Sequence, residues 1–180
     1  MIEFPDKKYN IIYADPPWAI QTIAQIPSGR PNSRPYRAMR MVDIFKLPVG
    51  NISEENTILF LWATAPLLPE ALYTINCWGF EYKTVGFTWV KKNKVSDSWF
   101  FGMGGWTRSN PEYCLLATKG DPKREAKNIL SVIDSRIEQH SKKPDIIREH
   151  IVNLCGDLPR IELFARQKYD GWDCWGNEIQ

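Results

Sequence analysis

Four consecutive residues near the start of the chain, Asp15-Pro16-Pro17-Trp18, combine a carboxylate, two rigid backbone positions and an indole ring. They directly follow the apolar run 9–14, which predicts a buried strand. In open α/β sheets, ligands bind beyond the carboxyl ends of the strands, so the motif stands where a site is expected. The structural alternative is a strand cap, in which the carboxylate accepts from loop N–H groups and the prolines end the sheet.

These residue types suit a reaction at a planar amino group such as that of adenine. The lone pair of such a nitrogen is delocalised into the ring, so an enzyme must hold it facing an electrophilic methyl group. Asp15 can accept one amine hydrogen and the Pro16 carbonyl the other, which raises electron density on nitrogen and sets its approach. The fixed φ of Pro16 and Pro17 holds both acceptors in place. Trp18 offers a face on which the base stacks, worth about 1–3 kcal/mol.

The elements that must position this motif alternate between apolar runs and helical patterns, which is typical of an α/β fold with a largely parallel sheet. Most of the runs are almost continuously apolar, as expected for strands covered on both faces. Helices are predicted at 68–78, ended by Gly79, and at 144–155, ended by Gly156. Strands are predicted at 9–14, 57–61, 84–90, 113–118, 129–133 and 161–164.

Two segments fit neither pattern, and we expect both to be mobile substrate loops. Residues 19–42 contain four arginines and no acidic residue, a composition suited to phosphate contacts that release counterions. Residues 93–110 contain three glycines and four aromatic residues. The alternative is that the arginines only keep a loop soluble. The candidate nucleic-acid contacts in these segments are Arg34, Arg37 and Arg108.

Composition and charge narrow the class of protein. The 180 residues, with 43% hydrophobic and 24% charged residues, predict one globular domain over 1–180. A net charge of +2 does not by itself indicate nucleic acid, so the distribution of basic residues carries that inference. Four widely spaced cysteines and two histidines favour neither a zinc site nor a disulfide framework. No signal peptide or membrane-length apolar stretch is visible, so a soluble cytoplasmic protein is expected.

Beyond the four-residue motif, the sequence resembles the DPPW-motif adenine-N6 methyltransferases, a family that includes the eukaryotic messenger-RNA methyladenosine writer and bacterial and phage DNA enzymes. The resemblance implies a Rossmann-like class I S-adenosylmethionine-dependent methyltransferase fold, α/β, with a mostly parallel central sheet and helices on both faces. Six further blocks occur in the family's order, which makes the resemblance specific. They are LFLW (59–62), FTWVK (87–91), GWTRSN (105–110), SKKPD (141–145), ELFAR (162–166) and WGNE (175–178).

The resemblance also implies roles for individual residues. Lys143 resembles the lysine that contacts the methionine carboxylate of the cofactor, and an ammonium at a predicted helix start suits an anion. The alternative interpretation of Lys143 is an exposed surface lysine without a role in binding. Tyr36 resembles a residue that lines the target pocket, and Arg166 is expected near the cofactor ribose. The implied catalytic residues are Asp15, Pro16, Pro17 and Trp18. The implied S-adenosylmethionine contacts are Asp15, Lys143, Phe164, Arg166, Asn177 and Glu178.

The sequence departs from the family at the cofactor strand. The glycine-rich cofactor loop is reduced to 164–166, and Lys168 and Tyr169 occupy positions where relatives place a histidine-asparagine pair. A different stretch, Asn110-Pro111-Glu112-Tyr113, is superficially similar to the motif of other amino-methyltransferases. It precedes a predicted strand instead of ending one, so we interpret it as structural.

Three functions are compatible with this resemblance. A DNA adenine-N6 methyltransferase is favoured, an RNA enzyme of the same mechanism is the second, and a non-catalytic nucleic-acid-binding partner is the third. The intact acid and prolines of the motif argue against the third. The 180 residues leave no room for a large target-recognition domain. We therefore expect either a short, relaxed recognition sequence or specificity that comes from the two loops or from a second subunit. The second subunit would form a homodimer or a complex with a partner chain.

Overall fold

The computed structural model describes residues 3–19, 38–104, 106–138 and 142–179, and these form a seven-stranded sheet with helices on both faces. The strands are β1 (Tyr9–Ala14), β2 (Ser53–Thr64), β3 (Glu81–Lys92), β4 (Glu112–Lys119), β5 (Val132–Arg136), β6 (Arg160–Leu163) and β7 (Asp173–Trp175). Across the sheet their order is β5-β3-β4-β2-β1-β6-β7.

Four of the six strand pairings are parallel, which confirms the predicted mostly parallel sheet. β1 pairs in parallel with β2 and β6, β3 with β5, and β6 with β7. β4 runs antiparallel to both of its neighbours, β2 and β3. The first six strands all overlap the predicted runs, and β1 matches its run at both ends.

In the described part of the chain, three α-helices flank the sheet: α1 (Met41–Phe45), α2 (Leu68–Cys77) and α3 (Ile146–Cys155). The predicted stop signals are confirmed, because Gly79 and Gly156 follow α2 and α3 with φ of 83° and 90°. The third helix begins two residues later than predicted, after Pro144. Within the described ranges, no helix has the length and apolarity needed to cross a membrane.

Each face of the sheet carries its own core. Ile44 of α1 and Ile75 of α2 are fully buried in one cluster, and Ile147 and Ile151 of α3 are fully buried in the other. β1 serves both, since alternate side chains along a strand point to opposite faces. The central strands are therefore covered on both sides, as their almost continuous apolar runs predict.

Chain direction brings the ends of several elements to one edge of the sheet. Ala14, the last residue of β1, pairs with Leu61 of β2 and with Leu163, the last residue of β6. Because β4 is antiparallel to β2 and β3, its first residue, Glu112, pairs with Thr64 and Trp89 near their carboxyl ends. Loops after β1, β3, β6 and β7 and the start of β4 consequently meet at this edge.

Candidate active site

The two prolines after β1 lie in a tightly bonded turn. The backbone N–H of Trp18 donates to the carbonyl of Pro16 at 2.8 Å, and the N–H of Met39 donates to the carbonyl of Pro17 at 2.9 Å. Asp15 is thereby held at the start of a fixed turn. A carbonyl oxygen has two lone pairs, so the Pro16 oxygen keeps capacity for one further donor.

Trp18 does not provide the open stacking face that the sequence suggested. Its indole is only 7% exposed, packs within the α1–α2 core, and donates from Nε1 to the carbonyl of Trp62 at 3.0 Å. The prediction of a stacking platform is therefore wrong, because the ring lies inside the core next to β2 and its only hydrogen-bond donor is already bonded there. Trp18 instead anchors the turn that follows Asp15.

Asp15 belongs to a buried cluster of charges. The Nζ of Lys143 lies 2.6 Å from Oδ2 of Asp15 and 3.3 Å from Oε2 of Glu112. A second ammonium, that of Lys91, also bonds to Glu112. The side chain of Lys143 is only 9% exposed, and its Nζ lies 5.4 Å from the centre of the Trp62 ring. Lys143 is therefore not the exposed surface lysine of the alternative interpretation.

Burial and charge act in opposite directions on these groups. Burial raises the pKa of Asp15 above its ordinary value, Lys143 pulls it down, and Glu112 raises it further. For Lys143, burial alone would lower the pKa, but the carboxylates of Asp15 and Glu112 raise it above the ordinary lysine value. For Glu112, the effect of burial is outweighed by Lys143 and Lys91, so its pKa is lowered. Lys143 and Glu112 thus stay charged near neutral pH.

Glu112 and Lys91 are not among the site residues that the sequence predicts. The structural interpretation of the 110–113 stretch holds for Asn110, whose side chain accepts from the backbone N–H of Lys91 at 3.1 Å and donates to that residue's carbonyl at 2.9 Å. It does not hold for Glu112, which joins the charge cluster. The only signal would have been the direction of β4, because an antiparallel strand begins at the edge where its neighbours end.

A cavity of about 440 Å³ opens beside Asp15, where β1, β6 and β7 end. This volume lies within the range of about 300–1,000 Å³ that small-molecule and cofactor sites occupy. Five of the six predicted cofactor residues line it, and the sixth, Lys143, bonds to the carboxylate of Asp15 in its wall. The complete wall is Asp15, Pro17, Met39, Arg40, Asp43, Phe164, Ala165, Arg166, Trp175, Gly176, Asn177 and Glu178.

The chain segments after β6 and β7 approach closely to form one side of this cavity. The N–H of Ala165 donates to the carbonyl of Trp175 at 3.0 Å. A Cβ on Gly176 would lie 2.3 Å from the carbonyl oxygen of Ala165, so only glycine permits this approach. Phe164 turns the chain out of β6 with a left-handed φ of 62°. Its ring packs edge-on against the indole of Trp175, with 5.4 Å between the ring centres.

The polar groups of the cavity fit a nucleoside cofactor. Glu178 brings a carboxylate that can accept from ribose hydroxyls, Asn177 an amide, and Phe164 an apolar ring. The Nε of Arg166 lies 3.7 Å from Oε2 of Glu178, so a guanidinium stands beside that carboxylate. Convergent polar groups of this kind fix the orientation of a bound small molecule.

Three of the predicted nucleic-acid contacts, Arg34, Tyr36 and Arg37, lie outside the described residues. Arg108 is exposed on the segment between β3 and β4, apart from the cavity wall. The mobility predicted for 19–42 and 93–110 stays a prediction. Among the described residues, no group of three or more His, Cys, Asp and Glu side chains is arranged to hold a metal ion, and the four cysteines are free.

Comparison with known proteins identifies the family. The MT-A70 family matches residues 9–178, a span that contains the motif after β1, the charge cluster and the cavity wall. The chain belongs to the MT-A70 family. This MT-A70 chain is also 33% identical to a type II methyltransferase, M.MunI, of Mycoplasma sp., over 98% of the chain and 80% of that protein.

Other MT-A70 relatives are much longer proteins. The human N(6)-adenosine-methyltransferase catalytic subunit METTL3 is 29% identical over 96% of this chain, which corresponds to 28% of the human protein. A putative N(6)-adenosine-methyltransferase of Medicago truncatula is 29% identical over 96% of this chain and 26% of its own length. The MT-A70 chain thus spans most of the mycoplasma methyltransferase and about a quarter of the eukaryotic ones. The resemblance noted in the sequence is confirmed, and the chain is a member of a methyltransferase family.

Proposed function

We propose that this MT-A70 chain transfers a methyl group from S-adenosylmethionine to the exocyclic N6 amine of adenine in DNA. One observation carries the proposal: Asp15 lies both in the wall of a cavity that fits a nucleoside cofactor and in the buried charge cluster around Lys143. A hydrogen-bond acceptor for the amine therefore adjoins the site for a methyl donor. The names of the relatives, which include N(6)-adenosine-methyltransferases, support adenine N6 as the target.

The cavity residues bind and orient the cofactor in this proposal. When bound, S-adenosylmethionine supplies an electrophilic methyl group on a positively charged sulfur. Glu178 accepts from the ribose hydroxyls, with Arg166 and Asn177 beside it, and Phe164 covers an apolar face. Lys143 donates to the methionine carboxylate. Because its bond to Glu112, at 3.3 Å, is longer than that to Asp15, we expect the cofactor to replace Glu112 and leave Asp15 bonded.

Asp15 and Pro16 hold the amine. A carboxylate has about four acceptor sites, so Asp15 can bond to Lys143 and still accept one amine hydrogen, while the remaining lone pair of the Pro16 carbonyl accepts the other. Fixing both hydrogens directs the nitrogen lone pair at the methyl group and raises its electron density. As the N–C bond forms and the C–S bond breaks, the amine must lose one proton. The Asp15 carboxylate, whose pKa is raised by burial, is the acceptor we assign to it.

Similarity favours DNA over RNA as the substrate. The type II methyltransferase shares more identical residues with this chain than the N(6)-adenosine-methyltransferases do, and the chain covers 80% of it against 26–28% of them. RNA adenine N6 is the second candidate, because the names of those enzymes specify adenosine and the amine is the same. A non-catalytic nucleic-acid-binding role is the third, and the intact motif argues against it.

Methyl-labelled S-adenosylmethionine tests the proposal directly. The protein is incubated with DNA and RNA of matched mixed sequence, and the labelled base is identified after digestion. We expect N6-methyladenine in DNA, and none with Asp15→Ala. Asp121→Ala, which removes an exposed carboxylate far along the chain from the motif, is the matched control and should retain activity. Label in RNA alone would transfer the proposal to RNA, and equal label with Asp15→Ala would contradict the catalytic assignment.

A further inference from the structure

The described part of the segment between β3 and β4, residues 93–104 and 106–110, forms an arm with a fixed base. The amide nitrogen of Asn110 donates to the carbonyls of Lys91 and Phe100, at 2.9 Å and 2.7 Å, while its oxygen accepts from the N–H of Lys91. One side chain therefore holds the two limbs of the arm together where they leave the sheet. Lys91 also bonds to Glu112, so the base of the arm adjoins the charge cluster around Asp15.

Glycines let the two limbs of the arm run closely against each other. A Cβ on Gly102 would lie 1.7 Å from the carbonyl oxygen of Ser109, and one on Gly104 would lie 2.0 Å from that of Thr107. Real side chains do not occupy such distances, so the positions require glycine. The outer part of the arm is consequently a narrow ribbon whose larger side chains project from it.

The projecting side chains are apolar and almost fully exposed. Phe101 is 76% exposed, Met103 is 92% exposed and Trp106 is fully exposed. Soluble proteins rarely expose three large apolar side chains on one short ribbon. Exposed apolar clusters of this kind generally mark a binding surface. The arm leaves the sheet at the edge where the proposed target adenine binds.

Charge and size favour a nucleic acid as the occupant over a second protein surface. The only acidic residue in the sequence of the arm, Asp97, is paired with Arg136 at 3.0 Å, whereas Lys94 and Arg108 are exposed. An aromatic side chain contributes about 150–250 Å² of contact. The two aromatic tips, Phe101 and Trp106, together with Met103 fall short of the about 800 Å² per partner that a standard protein interface buries.

We propose that the arm is a wedge that enters the DNA duplex and fills the gap left when the target adenine is flipped out. This inference rests on the proposed function. An enzyme that acts on a base amine must take that base out of the stack, and apolar side chains inserted between base steps offset the lost stacking. Trp106, Met103 and Phe101 are the wedge residues, and Lys94 and Arg108 contact the flanking phosphates.

The test compares two duplexes that share one methylation site, found by mapping methyl groups in genomic DNA treated with the wild-type protein. In one duplex the target adenine is paired with thymine, and in the other it faces an abasic residue, so little energy is needed to extrude it. Trp106→Ala is measured alone and together with Met103→Ala. We expect kcat/KM to fall about tenfold or more on the paired duplex and to change less than about threefold on the abasic one.

Leu130→Ala is the matched control, since Leu130 is an apolar residue 77% exposed outside the arm, and both duplexes should be methylated as by wild type. Equal losses of the Trp106 variant on the two duplexes, or no loss on either, would overturn the wedge. A lower mass of that variant by light scattering would assign the arm to contact with a second copy and also overturn it. Wild-type protein that methylates no DNA would instead contradict the proposed function.

Discussion

The ammonium of Lys143 lies 2.6 Å from a carboxylate oxygen of Asp15, in a pair whose lysine side chain is only 9% exposed. The two residues are 128 positions apart in the chain and meet because β1 ends at the edge of the sheet where the segment before α3 begins. The pair ties the proposed amine acceptor to the proposed contact for the cofactor carboxylate. The electrostatics of the site can therefore be tested by removing the positive and the negative neighbour of Asp15 in turn.

Removal of the positive partner should move the pH dependence of methyl transfer upward. Lys143 lowers the pKa of Asp15, so Lys143→Met should raise that pKa further. Because Asp15 must be ionised to accept from the amine, the acid limb of kcat/KM should shift to higher pH. Rates measured from about pH 5 to 9 test this, and an acid limb that stays where wild type has it would contradict the proposed role of the pair.

Removal of the neighbouring carboxylate should move the same limb in the opposite direction. Glu112 raises the pKa of Asp15, so Glu112→Gln should lower it and shift the acid limb of kcat/KM to lower pH. Glutamine keeps the shape of the side chain and its acceptor for Lys91. A shift in the same direction as that of Lys143→Met would show that Glu112 does not act through the charge of Asp15.

A methyl group on Gly176 should weaken cofactor binding. The added Cβ would lie 2.3 Å from the carbonyl of Ala165 and force apart the two segments that form one side of the cavity. We expect the Kd for S-adenosylmethionine to rise about tenfold or more, which is about 1.4 kcal/mol, by calorimetric titration of Gly176→Ala. Gly50→Ala, near the start of β2 at the opposite edge of the sheet, is the control. Wild-type affinity in Gly176→Ala would mean that the cofactor binds elsewhere.

A second buried ion pair joins α3 to β6. Arg148 donates to both carboxylate oxygens of Glu162, at 2.7 Å and 2.8 Å, and both residues are less than a tenth exposed. Arg148→Met leaves the Glu162 carboxylate buried without its partner, so the free energy of unfolding should fall by about 3–5 kcal/mol. Urea denaturation measures this.

The exposed pair of Arg136 and Asp97 supplies the comparison for that measurement. Its side chains are 51% and 79% exposed, and Arg136→Met should cost less than about 1 kcal/mol because solvent screens the pair. If the two arginine variants lose similar stability, the Arg148–Glu162 pair does not fix α3 against β6.

Local patterns in the sequence predict most of this fold. The apolar run 9–14 gives β1 its bounds, and Gly79 and Gly156 mark where α2 and α3 stop. Short elements have too few residues to show a period, so the sequence predicts neither the three-residue β7 nor the five-residue α1. β5 begins three residues after its predicted start, because its pairing with β3 starts at Val132.

The candidate site is predicted less completely, because contacts between distant segments decide it. The residue types around Asp15 indicate an acceptor, but only the direction of β4 brings Glu112 to it. The sequence likewise shows that an indole follows the prolines but does not predict its orientation. In the structure the ring of Trp18 lies in the core, bonded to the carbonyl of Trp62, and does not line the cavity. The arginine-rich segment 19–42 lies largely outside the described residues, and its phosphate contacts stay a prediction.

The rate of methyl transfer in a single turnover, with cofactor and DNA both saturating, tests the central claim most directly. Asp15→Asn keeps the size of the side chain but removes the ionised acceptor beside the amine. The rate should fall by about 10²–10³, as it does when other enzymes lose one preorganised hydrogen-bonding group. A rate within about twofold of wild type would contradict the assignment of Asp15 as the group that holds the amine.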